Sequence, residues 1–224
     1  VIIESNSFKI ENEFIEKLKK KFQNINISKT YSGEGIVVNN GNAKGIIIKG
    51  VDTNNEESLG FLEQNISKGD LSKFQKNTAF IGVELAFNLD IEIGDKINLM
   101  SSAFVTTPFG GLPKQETFTV TGIFNTGFYE FDQSFVFLNL SDSLSLFNKE
   151  DQDQNLEIYL SNPIKADSYK NQIQKLNENY FVYSWSDLNK SFFSALKVER
   201  NVMFIILTLI LIVAAFNIIS GLTI

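Results

Sequence analysis

The chain has 224 residues, is 43% hydrophobic and carries a formal net charge of −6. This balance suits one large folded domain or two small ones, and it argues against a nucleic-acid partner, which needs a clustered basic surface. Because histidine and cysteine are both absent, haem, the usual zinc sites, cysteine nucleophiles and the Ser-His-Asp arrangement are excluded. No carboxylate pair stands out either, so we predict no catalytic site, no metal and no cofactor. Since the chain opens at Val1 without a signal-like segment, we expect it to begin within a longer protein.

The N-terminal third predicts one helix and a β-hairpin. Residues 11–23 place their apolar side chains on one helical stripe, with lysines opposite. A strand follows over 25–31. An Asn-Asn-Gly-Asn turn then separates two apolar runs within 36–49, a pattern typical of a hairpin. Residues 50–59 are polar, and we expect a loop there.

The middle of the chain is predicted to be rich in strands. A short helix over 83–89 leads to a tight turn at Gly94–Asp95, and residues 96–100 alternate as a strand does. Apolar and polar residues also alternate with a period of two over 116–124. A further strand and a short helix are expected within 134–147.

The last part of the soluble sequence predicts a strand over 156–160, a helix over 166–176 and a strand over 181–185. This β-α-β order resembles the order of elements at the N-terminus. We therefore expect an α+β fold in which both chain ends build one α/β subdomain, with a β-rich subdomain inserted between them. The amphipathic residues 188–200 are expected to continue as a helix into the segment that follows.

Residues 201–224 contain no charged side chain. As a helix they would be about 36 Å long, enough to cross a hydrocarbon core of about 30 Å. The alternative is a central helix buried in a soluble protein, but an apolar surface all round a helix of this length is rare in small domains. The sequence therefore favours a transmembrane helix.

The stretch TTPFGGLPKQE, residues 106–116, holds two of the three prolines and a Gly-Gly pair, together with Phe109 and Leu112. Two readings remain open from the residues alone: the apolar tip packs on its own core, or it is held out to contact a partner. The aromatic residues of 127–135 leave a similar choice between a core cluster and a lipid-contacting patch. Their spacing favours the core.

Four stretches spread over most of the chain carry a resemblance to a known family. They are GVDTNNEESL from Gly50, FIGVELAFNLDIEIGDKINLMS from Phe80, TTPFGGLPKQETFTVTGIFNTGFYEFD from Thr106, and FFSALKVERNVMFIILTLILIVAAFNIISGL from Phe192. The last is the most specific, whereas the Gly-Asp turn is shared with the wider MacB-like permeases. The chain resembles the extracytoplasmic domain and second membrane span of the lipoprotein-releasing ABC transporter permeases, the LolC/LolE family, and is either LolC-like or a LolC/LolE hybrid.

The resemblance implies a domain organisation. Residues 1–48 and 152–190 would form a Porter-like α/β subdomain, and residues 49–151 a β-rich Sabre-like subdomain with a hook hairpin over 104–117. A juxtamembrane helix over 191–200 and a transmembrane helix over 201–224 would follow. The domain is then expected in the periplasm and the helix in the bacterial inner membrane.

The resemblance also implies a transport function without catalysis in this chain. Such a permease takes lipoproteins from the membrane and passes them to the periplasmic chaperone LolA, using a separate ATPase subunit and a second permease copy or paralogue. The chain has no G-x-x-x-x-G-K-[ST] phosphate-binding loop. Another MacB-like permease, for efflux or of the cell-division FtsX type, remains the alternative function, and such a protein is expected to lack a proline-bracketed apolar hook.

The family's hook implies site residues in this chain. The partner-binding residues would be Pro108, Phe109, Gly110, Gly111, Leu112 and Pro113. Lys114 and Gln115 are candidates for a docking pad beside the hook, although the carboxylate of Glu116 argues against a strictly basic pad. Phe192 and Phe193 would either line the lipoprotein entry cavity or anchor the helix at the membrane interface.

Overall fold

The computed structural model describes residues 1–5, 10–22, 25–108, 110–177 and 179–223. Within these ranges the strands are β1 (Ile2–Ser5), β2 (Ile25–Asn39), β3 (Asn42–Val51), β4 (Ile66–Gly69), β5 (Thr78–Gly82), β6 (Lys96–Thr107), β7 (Gly110–Phe124), β8 (Phe135–Asn139), β9 (Asn155–Leu160) and β10 (Tyr180–Tyr183). The helices are α1 (Asn12–Lys21), α2 (Glu56–Asn65), α3 (Val83–Asn88), α4 (Tyr129–Asp132), α5 (Leu140–Leu146), α6 (Ala166–Gln174), α7 (Trp185–Leu188) and α8 (Lys190–Thr223).

The strands form one mixed sheet in the order β10-β1-β9-β2-β3-β8-β5-β7-β4, and β6 pairs with both β2 and β7. Most neighbouring strands are antiparallel, but β8 runs parallel to β3 and β5 runs parallel to β7. The long β2–β3 hairpin pairs residues from Thr30 with Val51 to Asn39 with Asn42. The predicted α+β class is confirmed.

Both chain ends contribute to one core cluster. The apolar stripe of α1 and the inward face of α6 pack on β1, β2 and β9, because each element has only one face that it can remove from water. The buried residues of this cluster are Ile3, Ile10, Phe14, Ile15, Leu18, Phe22, Ile27, Leu156, Ile158, Ile173, Tyr180 and Val182. The division into Porter-like and Sabre-like parts stays a prediction.

Two further clusters lie along the central strands. One contains buried residues of α3 and α5 packed on strand residues such as Ile48, Ile81 and Val120. The other is aromatic: Phe80, Phe124 and Phe137 lie within it, and Leu62 of α2 joins them. Central strands therefore bury side chains on both faces of the sheet.

The aromatic segment 127–135 is partly buried and partly exposed. Phe131 stacks on Phe135 with 4.0 Å between ring centroids, and both pack against the aromatic cluster. Phe128 and Tyr129 are instead 74% and 54% exposed. The strand spacing thus predicts the buried half of this segment correctly.

Two predicted boundaries are wrong. The polar stretch 50–59 is not a single loop, because β3 continues to Val51 and α2 begins at Glu56. The polar residues of α2 do not indicate a solvent-exposed loop, because Ser58 is buried and its Oγ lies 2.7 Å from the Oγ of Ser28. Likewise β2 is one strand where two segments were predicted. Gly33 within it allows the ring of Phe147 to approach, since a Cβ there would lie 2.5 Å from that ring.

By their internal contacts, residues Val1–Val182 form one unit and the residues from Tyr183 onward form another. The second unit contains α7 and α8. Among the described residues, α8 is the one helix long and apolar enough to cross a membrane, with a mean hydropathy of 3.0 over its best window. Its 34 residues correspond to about 51 Å. As predicted, the amphipathic segment continues into the apolar one, as a single helix from Lys190, although Leu188 belongs to α7. Ile224 lies outside the described residues.

Candidate functional site

The hairpin of β6 and β7 contains the predicted hook. Its arms pair from Lys96 with Thr119 at the base to Thr107 with Gly110 at the tip. Residues 108–109 join the last paired residues of the two arms, and Gly110 takes a φ of +120°, which favours glycine. Phe109 lies outside the described residues, so its predicted role stays untested.

The base of the hairpin belongs to the protein core. Ile97 and Leu99 on β6, and Phe118 and Val120 on β7, are all buried. These residues alternate with polar ones, so one face of each arm packs on the body and the other meets solvent. The base of the hairpin is therefore fixed by burial of its inner face.

The pairing of the two arms is interrupted part-way along. Met100 pairs with Gln115, but the next pair is Phe104 with Pro113. Residues 101–103 consequently lie opposite Lys114 alone, an irregularity that bends a strand and leaves backbone groups without their ladder partners. Pro113 contributes to the interruption because it has no N–H to donate. The hairpin thus has a base segment and a distal segment, the latter formed by residues 104–113.

The distal segment is apolar and exposed. Phe104, Val105 and Leu112 are 67%, 47% and 60% exposed, respectively. Phe104 pairs with Pro113, and Val105 pairs with Leu112. Since successive residues of a strand point to opposite faces, the distal segment carries apolar side chains on both of its faces. A segment of this kind suits a cavity better than a flat surface.

The other described residues of the predicted hook lie on the same segment. Pro108 and Pro113 are exposed, and so are Gly110, Gly111 and Leu112. Gly111 lies near the ring of Phe104, since a Cβ there would be 3.5 Å from that side chain. Leu112 is therefore held outside the protein core.

Sequence reasoning missed Phe104 and Val105 as members of the apolar surface. The predicted hook hairpin, 104–117, contains both residues, but the partner-binding residues named within it begin at Pro108. The available signal was an adjacent aromatic and β-branched pair inside a run of serine and threonine, at a distance from the turn that brings it opposite Leu112 and Pro113.

The two candidate pad residues have different environments. Gln115 is exposed. The Nζ of Lys114 instead donates to the carbonyl oxygen of Ser145, at 2.6 Å, and lies 3.3 Å from Oε1 of Glu116. The charge of Lys114 therefore already has two partners within the protein.

Phe192 and Phe193 lie near the start of α8. Phe192 is 61% exposed. Phe193 contacts Trp185 edge-on, with 4.8 Å between ring centroids. This aromatic group precedes the uncharged part of the helix, a position compatible with either predicted role.

A groove lies beside the last residues of β7. The hairpin tip is at the opposite end of this strand, where β7 begins. This groove has a volume of about 510 Å³ and is lined by Lys68, Val83, Ala86, Phe87, Asp90, Ile91, Glu92, Ile93 and Ile123. Phe87 on its wall is 83% exposed. Within the described ranges, no group of three or more His, Cys, Asp or Glu residues could hold a metal ion.

Comparison with known proteins identifies the family. A model of the MacB-like periplasmic core domain matches residues 5–176. The lipoprotein-releasing system transmembrane protein LolC of Neisseria meningitidis serogroup B is 29% identical over 195 residues, which cover 85% of this chain and 47% of that protein. LolC of Xylella fastidiosa (strain 9a5c) is 30% identical over 178 residues, covering 78% and 43%. The chain thus spans about half the length of the curated relatives it matches.

A LolE protein is also similar, and a solved structure supports the fold. LolE of Haemophilus influenzae is 25% identical over 210 residues, or 92% of this chain. The periplasmic region of MacB from Actinobacillus actinomycetemcomitans superposes with a TM-score of 0.52 at 11% identity, covering 85% of this chain and 91% of that one. The sequence-based resemblance to the LolC/LolE permeases within the MacB-like proteins is confirmed.

Proposed function

Because the chain belongs to the family of MacB-like periplasmic core domains, we propose that it is part of a permease subunit of a lipoprotein-releasing ABC transporter. In this proposal the domain lies in the periplasm, and α8 lies in the bacterial inner membrane. The permease takes lipoproteins from that membrane and passes them to a LolA-type chaperone. A separate ATPase subunit supplies the energy, and a second permease copy or paralogue completes the membrane part.

The observation that carries the proposal is the apolar, exposed distal segment of the β6–β7 hairpin. A chaperone for lipoproteins must hold acyl chains in an apolar cavity, and a narrow two-stranded ribbon with apolar side chains on both faces is complementary to such a cavity. Burial of Phe104 and Leu112 would each contribute about 1.5–3 kcal/mol before the costs of ordering and association. The paired strands and Pro108 lower those costs because the segment is ordered before binding.

The hairpin also supports a LolC-like role. The alternative, an efflux or cell-division permease of the same superfamily, gives no reason to expose Leu112 and Phe104 on a proline-bracketed ribbon. A patch of apolar side chains that is exposed in the isolated protein is typical of a surface that a partner covers in the complex. A LolC/LolE hybrid would use the same surface.

Binding of the chain to purified LolA tests the proposal. The chain is kept in a mild non-ionic detergent, and its affinity for LolA is measured by surface plasmon resonance. We expect Leu112→Asp to weaken binding at least 30-fold, because a carboxylate would have to enter an apolar cavity. Ile164→Asp is the matched control, since Ile164 is 87% exposed but lies far along the chain from the hairpin.

Equal affinities for Leu112→Asp and the parent chain would overturn the proposal, provided that both give the same circular dichroism spectrum. Absence of any LolA binding by the parent chain would also overturn it and favour the alternative permease function. Phe104→Asp provides a second test on the other face of the ribbon, and loss of affinity is expected there as well.

A further inference from the structure

The last turn of α5 lies where the two arms of the hairpin lose their regular pairing. Between the Met100–Gln115 pair and the Phe104–Pro113 pair, the ladder is broken by the bulge of residues 101–103. A bulge bends the strand that carries it and disrupts the ladder locally. Contacts outside the ladder are therefore available to set the direction of the distal segment.

The β6 arm contacts α5 through Ser101. This side chain is buried, with 5% exposure, and its Oγ donates to the carbonyl oxygen of Leu146 at 2.6 Å. The same Oγ accepts the backbone N–H of Ala103 at 3.2 Å. One hydroxyl therefore fixes the shape of the bulge and ties it to the end of the helix.

The β7 arm contacts the same helix end through Lys114. Its Nζ donates to the carbonyl oxygen of Ser145 at 2.6 Å, and the Oγ of Ser145 donates to Oε1 of Glu116 at 3.2 Å. The last carbonyl groups of a helix lack partners within the helix and carry partial negative charge. A lysine ammonium is thus well placed there, and its ion pair with Glu116 keeps the side chain along the arm.

Helix α5 is itself fixed to the body of the protein. The carboxylate of Asp142 accepts the backbone N–H of Asn77 at 2.6 Å. Ser143 is fully buried and lies directly over Gly50 of β3, where a Cβ would come within 1.8 Å of its Oγ. Leu146 is also fully buried in the core. The helix end is therefore a rigid reference point for both arms.

We propose that the last turn of α5 sets the direction of the distal hairpin, with Ser101 and Lys114 as positioning residues. Lys114 then acts on the hairpin and is not a docking contact for the chaperone. The consequence for chaperone binding rests on the proposed function, but the orientation of the hairpin does not.

The orientation is measured without any partner. The chain contains no cysteine, so spin labels can be attached at Thr106→Cys near the tip and at Ser141→Cys on α5. Double electron-electron resonance should give one narrow distance distribution. We expect Lys114→Met to widen it at least 1.5-fold, and Ser101→Ala to do the same. Lys114→Arg should keep it narrow, because a guanidinium can also donate to the carbonyl of Ser145.

Two matched controls come from the same arm of the hairpin. Lys96→Met makes the same replacement at an exposed lysine of the hairpin base, and Ser102→Ala makes the same replacement at the exposed neighbour of Ser101. Neither should change the distribution. An unchanged distribution in the double variant Ser101→Ala/Lys114→Met would overturn the proposal, whatever the outcome of the LolA measurements.

Affinity for LolA separates positioning from direct contact. If Lys114 positions the hairpin, Lys114→Met weakens binding about 5- to 10-fold with an unchanged dependence on salt concentration, and adding Ser101→Ala weakens it little further. A direct ion pair with the chaperone would instead give a shallower salt dependence and additive losses, which would contradict the assignment. The two proposals can fail separately. If the parent chain does not bind LolA, the proposed function is refuted. If the variants nevertheless widen the distance distribution, the anchoring of the hairpin by α5 still holds.

Discussion

Lys49 on β3 and Glu157 on β9 form an ion pair across the strand that separates them. Their Nζ and Oε2 atoms are 2.7 Å apart, and the two side chains are only 18% and 13% exposed. The hydroxyl of Tyr159 donates to the same carboxylate oxygen at 2.6 Å. Because β2 lies between β3 and β9, this pair connects two strands that are not neighbours in the sheet.

We expect Lys49→Met to lower the free energy of unfolding by about 2–3 kcal/mol, because it leaves the carboxylate of Glu157 largely buried without its cation. The double variant Lys49→Met/Glu157→Leu should recover most of this loss, since it removes both charges and leaves no buried ion unpaired. Urea unfolding of the chain in a mild detergent, followed by near-UV circular dichroism, measures both values.

The exposed pair of Lys17 and Glu13 supplies the control. Its side chains are 63% and 72% exposed at a separation of 2.7 Å. Lys17→Met should therefore lower the free energy of unfolding far less than Lys49→Met does. Equal costs for Lys17→Met and Lys49→Met would show that burial of the Lys49–Glu157 pair does not determine its contribution.

Glu157 also makes stability depend on pH. Burial by itself would raise the pKa of Glu157, but the charge of Lys49 and the hydrogen bonds from Lys49, Tyr159 and Thr30 outweigh burial and hold the pKa below its ordinary value. A lowered pKa in the folded state means that the carboxylate stabilises the fold above the unfolded pKa of about 4.3, and that this contribution is lost as the pH falls through the folded value.

The free energy of unfolding of Glu157→Gln should therefore fall less steeply with acid than that of the parent chain. The difference between the two proteins should be constant above about pH 5.5 and shrink below about pH 4. Urea unfolding at one-unit pH intervals from 3 to 7 measures it. A difference that stays constant down to pH 3 would mean that the pKa of Glu157 is the same in the folded and unfolded chain.

Local patterns in the sequence predict the elements whose burial follows a simple period. The stripe of α1 and the alternation in β7 each follow the side-chain period of a single element with one buried face. The turn at Gly94–Asp95 follows from the residue types of the turn itself, and Gly94 takes a φ of +99°. The uncharged run of α8 is as direct a signal. In all four cases, the information lies within at most 24 consecutive residues.

The missed features depend on contacts between distant parts of the chain. Helix α2 was hidden because Ser58 is buried against Ser28, thirty positions away. Lys114 could be assigned to a pad but not to α5, since its bond to Ser145 spans thirty-one positions. Phe104 joins the apolar surface only through the register that sets it opposite Pro113. Such pairings depend on strand register and on packing between distant elements, and neither can be read from the local pattern of a single sequence.

The close contact between α5 and β3 at Gly50 gives a test of packing. A Cβ at Gly50 would lie 1.8 Å from the Oγ and 2.6 Å from the Cβ of Ser143, whereas a Cβ at Gly45 would have no atom within 4 Å. Gly50→Ala should lower the free energy of unfolding by about 1–3 kcal/mol, because α5 must move away from the sheet. Gly45→Ala on the same strand should be neutral or slightly stabilising. A neutral Gly50→Ala would mean that α5 is not held against β3.

The aromatic segment around α4 gives the last prediction, since phenylalanines close in sequence have opposite environments. Phe124 is fully buried, with its ring centroid 5.3 Å from that of Phe137, whereas Phe128 is 74% exposed. Phe124→Ala should lower the free energy of unfolding by about 3–5 kcal/mol through lost burial and the cavity left behind. Phe128→Ala should change it by less than about 0.5 kcal/mol. Urea unfolding compares them, and a large loss for Phe128→Ala would place that ring in the core instead.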